Sequence, residues 1–255
     1  MKIISIANQK GGVGKSTTAY ALGAGFTLKD YKVLLIDLDP QGNLSYTTQA
    51  EEGKPTAYEV LTGRSAASSA IQHTPSGDII AASQLLSGAD IELNKTGKEY
   101  RLKEALQPIK KKYDFIIIDT PPALGILTIN ALTASDSLII TAQADIYSLQ
   151  SIRQLYSTIE AIKTYCNPAL IIKGILLTRH STRTILGRDL QESIKETALK
   201  LDTKLFNTTI REAIAIKEAQ ASRQDIYHYA PKSNVALDYE ALVNEILESE
   251  EKHNG

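Results

Sequence analysis

Asn8-Gln9-Lys10-Gly11-Gly12-Val13-Gly14-Lys15-Ser16-Thr17 stands between a short apolar run at residues 3–7 and a stretch at 15–28 whose Ala19, Leu22, Ala24 and Phe26 make a largely apolar helical surface. Strand, glycine-rich turn and helix, in that order, predict a phosphate-binding loop. Backbone N–H groups wrap the phosphates, a lysine reaches the terminal ones, and a hydroxyl meets Mg²⁺. The helix start adds its partial positive charge. Gly14-Lys15-Ser16 fits the usual G-x-x-x-x-G-K-[ST] pattern, but Gln9 stands where the first glycine belongs, and a second lysine, Lys10, sits inside the loop. That departure says more than the match.

Two later runs aim at the same place. Val33-Leu34-Leu35-Ile36 is a continuous apolar run of the kind that forms a parallel strand covered on both faces, and it closes on Asp37-Leu38-Asp39-Pro40-Gln41-Gly42-Asn43. Acids at the carboxyl end of a strand beside the loop strand lie where open α/β sheets put their ligands, so Asp37 and Asp39 are expected to face the phosphate region. Phe115-Ile116-Ile117-Ile118 then runs into Asp119-Thr120-Pro121-Pro122. Large apolar residues closing on an aspartate are the Walker B form, whose carboxylate holds Mg²⁺, usually through its water shell. Joined to the loop at 11–17, that pattern becomes specific.

Outward from these elements, strand and helix patterns alternate. Strands are expected at 137–142, 169–177 and 204–206, and helices at 148–165, 185–199 and 234–248, the last with Ser233 as N-cap. Residues 44–112 are less regular: Lys54-Pro55-Thr56 opens a short helix at 57–61, residues 78–82 read as a strand, and Leu102, Leu106 and Ile109 recur at helical spacing within 98–112. Regular alternation predicts an α/β fold, a doubly wound, mainly parallel sheet with helices on both faces. With no internal repeat, low-complexity linker or break in composition, residues 1–255 read as one domain.

Composition narrows the function classes. The 43% hydrophobic content supports a substantial core, and a net charge of −1 means that any nucleic-acid binding must come from a local patch. Residues 163–232 hold twelve Lys/Arg against seven Asp/Glu, whereas 233–255 hold six acids against one lysine. A single cysteine, Cys166, excludes an internal disulfide and a multi-thiolate cluster built from one chain, and fits a reducing, cytoplasmic setting. The first apolar run is too short for a signal peptide or a membrane span.

Lys-Gly-Gly-Val-Gly-Lys-Ser-Thr at 10–17 resembles the deviant Walker A motif of the ParA/MinD ATPases, and Leu-Ile-Asp-Leu-Asp-Pro-Gln-Gly-Asn at 35–43 resembles their second motif. The stretch 115–122 continuing into Leu127-Thr128-Ile129-Asn130-Ala131-Leu132, and Tyr229-Ala230-Pro231-Lys232-Ser233 near the end, are similar to the ParA branch in particular. The resemblance runs over nearly the whole chain and is weakest at 44–112. It implies an ATPase with ATP and Mg²⁺ as cofactors, bound by the loop residues Lys10, Gly11, Gly12, Val13, Gly14, Lys15, Ser16 and Thr17. Lys15 would bind the β- and γ-phosphates; Ser16 would coordinate Mg²⁺, with water-mediated help from Asp119; Asp39 would orient the attacking water; and Asp37 would support the Mg²⁺ shell. Lys10 would reach across a two-fold interface to the partner subunit's nucleotide. The family segment that contacts adenine often reads Ile-Pro-Arg-Asn. Here the aligned stretch is Ile210-Arg211-Glu212-Ala213, so the expected contacts reduce to the backbone at Ile210, Arg211 and Ala213.

Within that family the leading expectation is the short form of a DNA-partition ATPase, without an N-terminal helix-turn-helix. It would be cytoplasmic and nucleoid-associated, and dimerise with ATP. Non-specific double-stranded DNA would bind to a basic dimer surface drawn from Arg179, Arg183, Arg188, Lys195, Lys200, Lys204, Arg211, Lys217, Arg223 and Lys232. A centromere-binding ParB-like protein with a basic tail would stimulate hydrolysis, and the acids of 233–255 are candidates to attract that tail. The alternative is a MinD-like, membrane-cycling ATPase, which needs a basic amphipathic C-terminal helix; the acidic end of this chain argues against it, and no membrane partner is expected. A nitrogenase-type reductase needs two cysteines per subunit and is excluded. A partition-like ATPase that moves a protein cargo stays open.

Overall fold

The computed structural model describes residues 1–180 and 185–254. In chain order the elements are β1 (Lys2–Ala7), α1 (Lys15–Thr27), β2 (Val33–Asp37), α2 (Asn43–Thr47), α3 (Ala57–Thr62), α4 (Ala67–Ala70), β3 (Ile71–Thr74), β4 (Gly77–Ile80), α5 (Ala89–Glu92), α6 (Arg101–Leu106), β5 (Phe115–Asp119), α7 (Ile126–Ala134), β6 (Ser137–Ala142), α8 (Ile146–Tyr165), β7 (Ile171–Leu177), α9 (Ile185–Lys200), α10 (Ile214–Ala221), α11 (Ile226–Tyr229) and α12 (Asn234–Asn254). Seven strands make one sheet in the order β3-β4-β2-β5-β1-β6-β7. Every neighbouring pair is parallel except the β3–β4 hairpin.

The register brings the functional strand ends together. Ile6 of β1 is paired with Asp119 of β5, and Asp37 of β2 is paired with the same Asp119. The loop and both acidic strand ends therefore open from one edge of the sheet, where α/β folds hold ligands. The apolar strands alternate sides, as a two-residue period requires. Leu35 and Ile117 pack with Phe26 of α1 and Tyr239 of α12, while Leu34, Ile36, Ile116 and Ile118 pack with Leu61, Leu102 and Leu106. A third cluster sets Leu138 and Ile140 against Ile152, Leu155 and Ile159 of α8.

Several expected elements differ in extent. Residues 98–112 are not one helix: a 3₁₀ turn at Lys98–Tyr100, α6, and a second 3₁₀ turn at Lys110–Lys112 share the stretch. Pro108 lacks the amide that a continuous helix needs, yet Leu102, Leu106 and Ile109 all stay buried. Residues 204–206 form no strand, only a bridge from Leu205 to Ile175. At Gly174 a Cβ would lie 2.7 Å from the Phe206 ring, so glycine there lets this segment lie flat on the sheet edge. β3 has no counterpart in the expected strands: it pairs antiparallel to β4 through a short turn. The last helix runs beyond residue 248 to Asn254, with the Ser233 hydroxyl accepting from the Ala236 amide at 3.2 Å as expected of an N-cap.

Candidate active site

The loop takes its shape from two glycines and four polar anchors. Gly12 and Gly14 have φ of 74° and 78°, in the left-handed region that favours glycine. Gly14 is also the N-cap of α1 and supplies no side-chain cap, so the first amides of that helix open on the site without a side-chain cap among the described residues. Asn8 starts the turn: its Nδ2 donates to the Thr141 carbonyl at 2.6 Å, and its Oδ1 accepts from the Lys10 amide at 3.0 Å. Thr178 at the end of β7 donates to the Val13 carbonyl at 3.0 Å, Gln143 donates to the Gly12 carbonyl at 3.2 Å, and Gln220 of α10 donates to the Thr17 hydroxyl at 2.9 Å.

Lys15 is buried, and among the described residues the Lys10 carbonyl, 3.3 Å away, is the one acceptor for its Nζ. Burial lowers its pKa, and the charges of Asp119 and Asp39 work against that shift. Asp119 is fully buried, and neither carboxylate oxygen has a hydrogen-bond partner among the described residues. Burial first, then the Asp37 charge, holds its pKa well above the ordinary carboxylate range, with the nearby Ser16 hydroxyl, which makes no hydrogen bond of proper geometry to it, and Lys15 acting the other way. Two buried oxygens without donors, beside a hydroxyl at the helix start, fit a hard cation held through oxygen and water.

Asp37 is differently provided. Its Oδ2 accepts from the Ser45 amide and hydroxyl at 2.8 and 2.7 Å, and its Oδ1 accepts from the Asp39 amide at 3.0 Å. Burial outweighs these donors and pushes its pKa up to about 6. Ser45 Oγ in turn accepts from the Ala82 amide at 2.8 Å, so Asp37 fixes the turn that carries Asp39. Asp39 is buried, and its Oδ1 accepts from the Gln41 amide at 3.0 Å.

The segment expected to meet adenine is anchored to its own chain at several groups. The Ile210 amide donates to Leu177 and its carbonyl accepts from His180. The Arg211 guanidinium makes a two-pronged contact with Asp238 of α12, both bonds at 2.7 Å. These groups hold the segment against β7 and α12; Ala213 N-caps α10. Of the basic surface candidates, Arg211, Lys195 and Lys204 are ion-paired with Asp238, Glu192 and Glu245. The Arg223 guanidinium lies 4.1 Å from the Tyr46 ring centroid. Arg179, Arg188, Lys200, Lys217 and Lys232 are exposed with no ion pair among the described residues. Arg183 lies outside the described residues. Of the acids at 233–255, Asp238 holds Arg211, Glu245 accepts from the Asn207 and Thr208 amides, and Glu250 pairs with Lys2 and Lys173. Half of that acidic stretch is thus tied internally, which weakens the expected attraction for a basic tail.

Comparison with known proteins identifies the family. A family model described as an AAA domain matches residues 1–172. The sporulation initiation inhibitor protein Soj of Bacillus subtilis is 41% identical over 250 residues, covering 96% of this chain and 98% of that protein. The chain belongs to the Soj/ParA family of partition ATPases. The chromosome partitioning protein ParA of Caulobacter vibrioides is 35% identical across 98% of this chain and 95% of its own length. Among solved structures, the Cyanothece McdA–ATP complex superposes with a TM-score of 0.87 at 25% identity, covering 96% of each chain. A Mycobacterium smegmatis protein named cobyrinic acid a,c-diamide synthase, solved with an ATP analogue and magnesium, gives 0.84 at 31% identity over 97% of this chain and 94% of its own. The seven-stranded, mainly parallel sheet is the fold of this Soj/ParA group. No helix among the described residues is long and apolar enough to cross a membrane.

Motif reading did not single out Asn8, Ser45, Gln143, Asp145, Thr178 or Gln220. Polar residues at strand ends facing a known loop were the available signal, but without the strand order that signal names no partner.

The unpaired Asp119 carries a testable cost. The charges of Asp37 and Asp39 act on Asp119 against that of Lys15, so Asp119→Asn relieves net negative charge. It is expected to stabilise the nucleotide-free protein by about 1–2 kcal/mol at neutral pH. Below the ordinary carboxylate range both folded and unfolded groups are protonated and the substitution is neutral. As pH rises the unfolded group ionises first, so the gain grows with pH. Thermal melts across pH, with and without Mg²⁺ and nucleotide, check this: the variant should gain stability without ligand and lose the Mg²⁺-dependent part of the ligand's effect.

Proposed function

We propose that the chain is a Mg²⁺-dependent ATPase that dimerises with ATP, binds DNA without sequence preference in that state, and drives DNA partition with a centromere-binding partner. The observation that carries this reading is the second lysine, Lys10, in a loop that already offers Lys15 and Ser16, opposite Asp119 at the end of β5, to nucleotide and metal. Lys15 binds the β- and γ-phosphates, and the free amides at the start of α1 wrap them. Ser16 would hold Mg²⁺ with water-mediated help from Asp119, and Asp37 would support that shell through the turn it fixes; the ion would supply neutralisation of the charge that develops on the phosphates. Asp39 orients the attacking water. Lys10 stabilises the charge on the transferred phosphoryl group of the partner subunit, as an arginine finger does.

Support comes from the names and identities of the Soj and ParA relatives, and from the exposed cations Arg179, Arg188, Lys200, Lys217, Arg223 and Lys232. A cargo-positioning ATPase acting on a membrane or a protein cluster is the second reading, favoured only by the likeness to McdA. Paired co-sedimentation with non-specific DNA and with anionic liposomes, each with ATP and with ADP, separates them. DNA pelleting should require ATP and fall steeply with salt as counterions are released. Equal binding with ADP, or insensitivity to salt, refutes the dimer-surface account; ATP-dependent liposome pelleting supports the second reading.

A further inference from the structure

Lys10 is already engaged within its own chain. Its Nζ is ion-paired with Asp145 Oδ2 and lies 3.4 Å from Gln143 Oε1. Gln143 uses its other amide atom on the Gly12 carbonyl, so the junction between β6 and α8 grips the loop at two points. Asp145 divides its carboxylate: Oδ1 accepts from the Ser148 amide at 2.9 Å and caps α8, while Oδ2 faces Lys10. Capping alone does not call for a charge, since serine or asparagine caps a helix as well as aspartate. The pair lies at an open face. The Lys10 and Asp145 side chains are 26% and 31% exposed, and the next residues, Ile146 and Tyr147, are 68% and 70% exposed.

We infer that Asp145 is a positioning residue for Lys10: it holds the lysine in cis in the lone subunit, and the lysine reaches a second copy's nucleotide only by leaving it. This rests on the trans role of Lys10 proposed above. A subunit whose lysine is docked on Asp145 is not competent for the interface, so apparent dimer affinity falls by the competent fraction. A two-fold interface repeats the same exchange on both sides, and two pairs break per dimer. A partly exposed ion pair is worth a few-fold in equilibrium, so two together set dimerisation back about tenfold. That threshold keeps the cation away from nucleotide until two loaded subunits meet.

Asp145→Ser retains the cap and removes the charge. Two measurements on the full chain test the inference. The first needs no dimer: acetic anhydride labelling of Lys10 in the nucleotide-free protein, followed by mass spectrometry, should be several-fold faster in Asp145→Ser than in wild type, with the melting temperature within about 4 °C of wild type. The second is sedimentation with a non-hydrolysable ATP analogue. Asp145→Ser should dimerise about tenfold more tightly than wild type, and the effect should vanish when Lys10→Ala is added, which a merely structural role of Asp145 would not produce. Equal labelling rates overturn the inference whatever the dimer does. Faster labelling with an unchanged dimer constant overturns the threshold. Faster labelling in a protein that stays monomeric with the analogue upholds the cis contact and overturns the dimer reading instead.

Discussion

Lys10→Ala is expected to lose partner-stimulated hydrolysis by a factor of about 10³ or more while nucleotide binding to the single subunit stays within about threefold of wild type. The magnitude follows from what cations supplied in trans contribute to phosphoryl transfer, about 10³ to 10⁵ in rate. The split follows from position. Lys15, not Lys10, is the buried lysine at the start of α1, whereas Lys10 Nζ points to Asp145 at the mouth of the loop. Removing Lys10 leaves the Lys10 backbone carbonyl that Lys15 uses and the Asn8 contact to the residue 10 amide. Single-turnover hydrolysis with and without the partner protein, beside equilibrium binding of a fluorescent ATP analogue, reads both quantities. Full stimulated turnover in the variant would end the trans-lysine account.

Asp39→Ala has the second largest expected effect, and its signature is opposite. Loss of the residue that orients water should lower hydrolysis by about 10² to 10⁴, yet ATP should be retained, because neither Lys15 nor Asp119 depends on the Asp39 side chain for its position. The trapped ATP state should accumulate as a dimer on size-exclusion chromatography. The turn itself should survive: the Asp39 backbone amide, not its carboxylate, is what Asp37 holds, and among the described residues the side chain's one hydrogen bond is to the Gln41 amide. A variant that binds ATP and stays monomeric would make Asp39 a structural residue.

The residues gathered around the loop were legible because each of their signals is local in sequence. Gly14-Lys15-Ser16 marks the loop by glycine conformation and charge, and Asp37, Asp39 and Asp119 each end an apolar run, so residue type and place coincide. What escaped depends on long-range pairing. Thr178 meets Val13, Gln143 meets Gly12 and Asp145 meets Lys10, contacts fixed by strand order. The partner of Arg211 escaped for the same reason: Asp238, on a helix later in the chain, takes its guanidinium, whereas the contact expected there with a base is one of the backbone alone. The hairpin edge at β3 and β4 was half-read because Ile71–Thr74 carries only one large aliphatic residue, too little alternation to mark a strand.

The sheet order has a consequence for synthesis. β1, which leads directly into the loop, pairs with neither β2 nor any other early strand; its neighbours are β5, beginning at Phe115, and β6, beginning at Ser137. A nascent chain emerging from the ribosome carries a finished nucleotide-loop sequence long before the strands that can seat it exist. The loop is therefore assembled late, once more than half of the polypeptide is available, and until then β1 is an unpaired apolar segment exposed to misassociation.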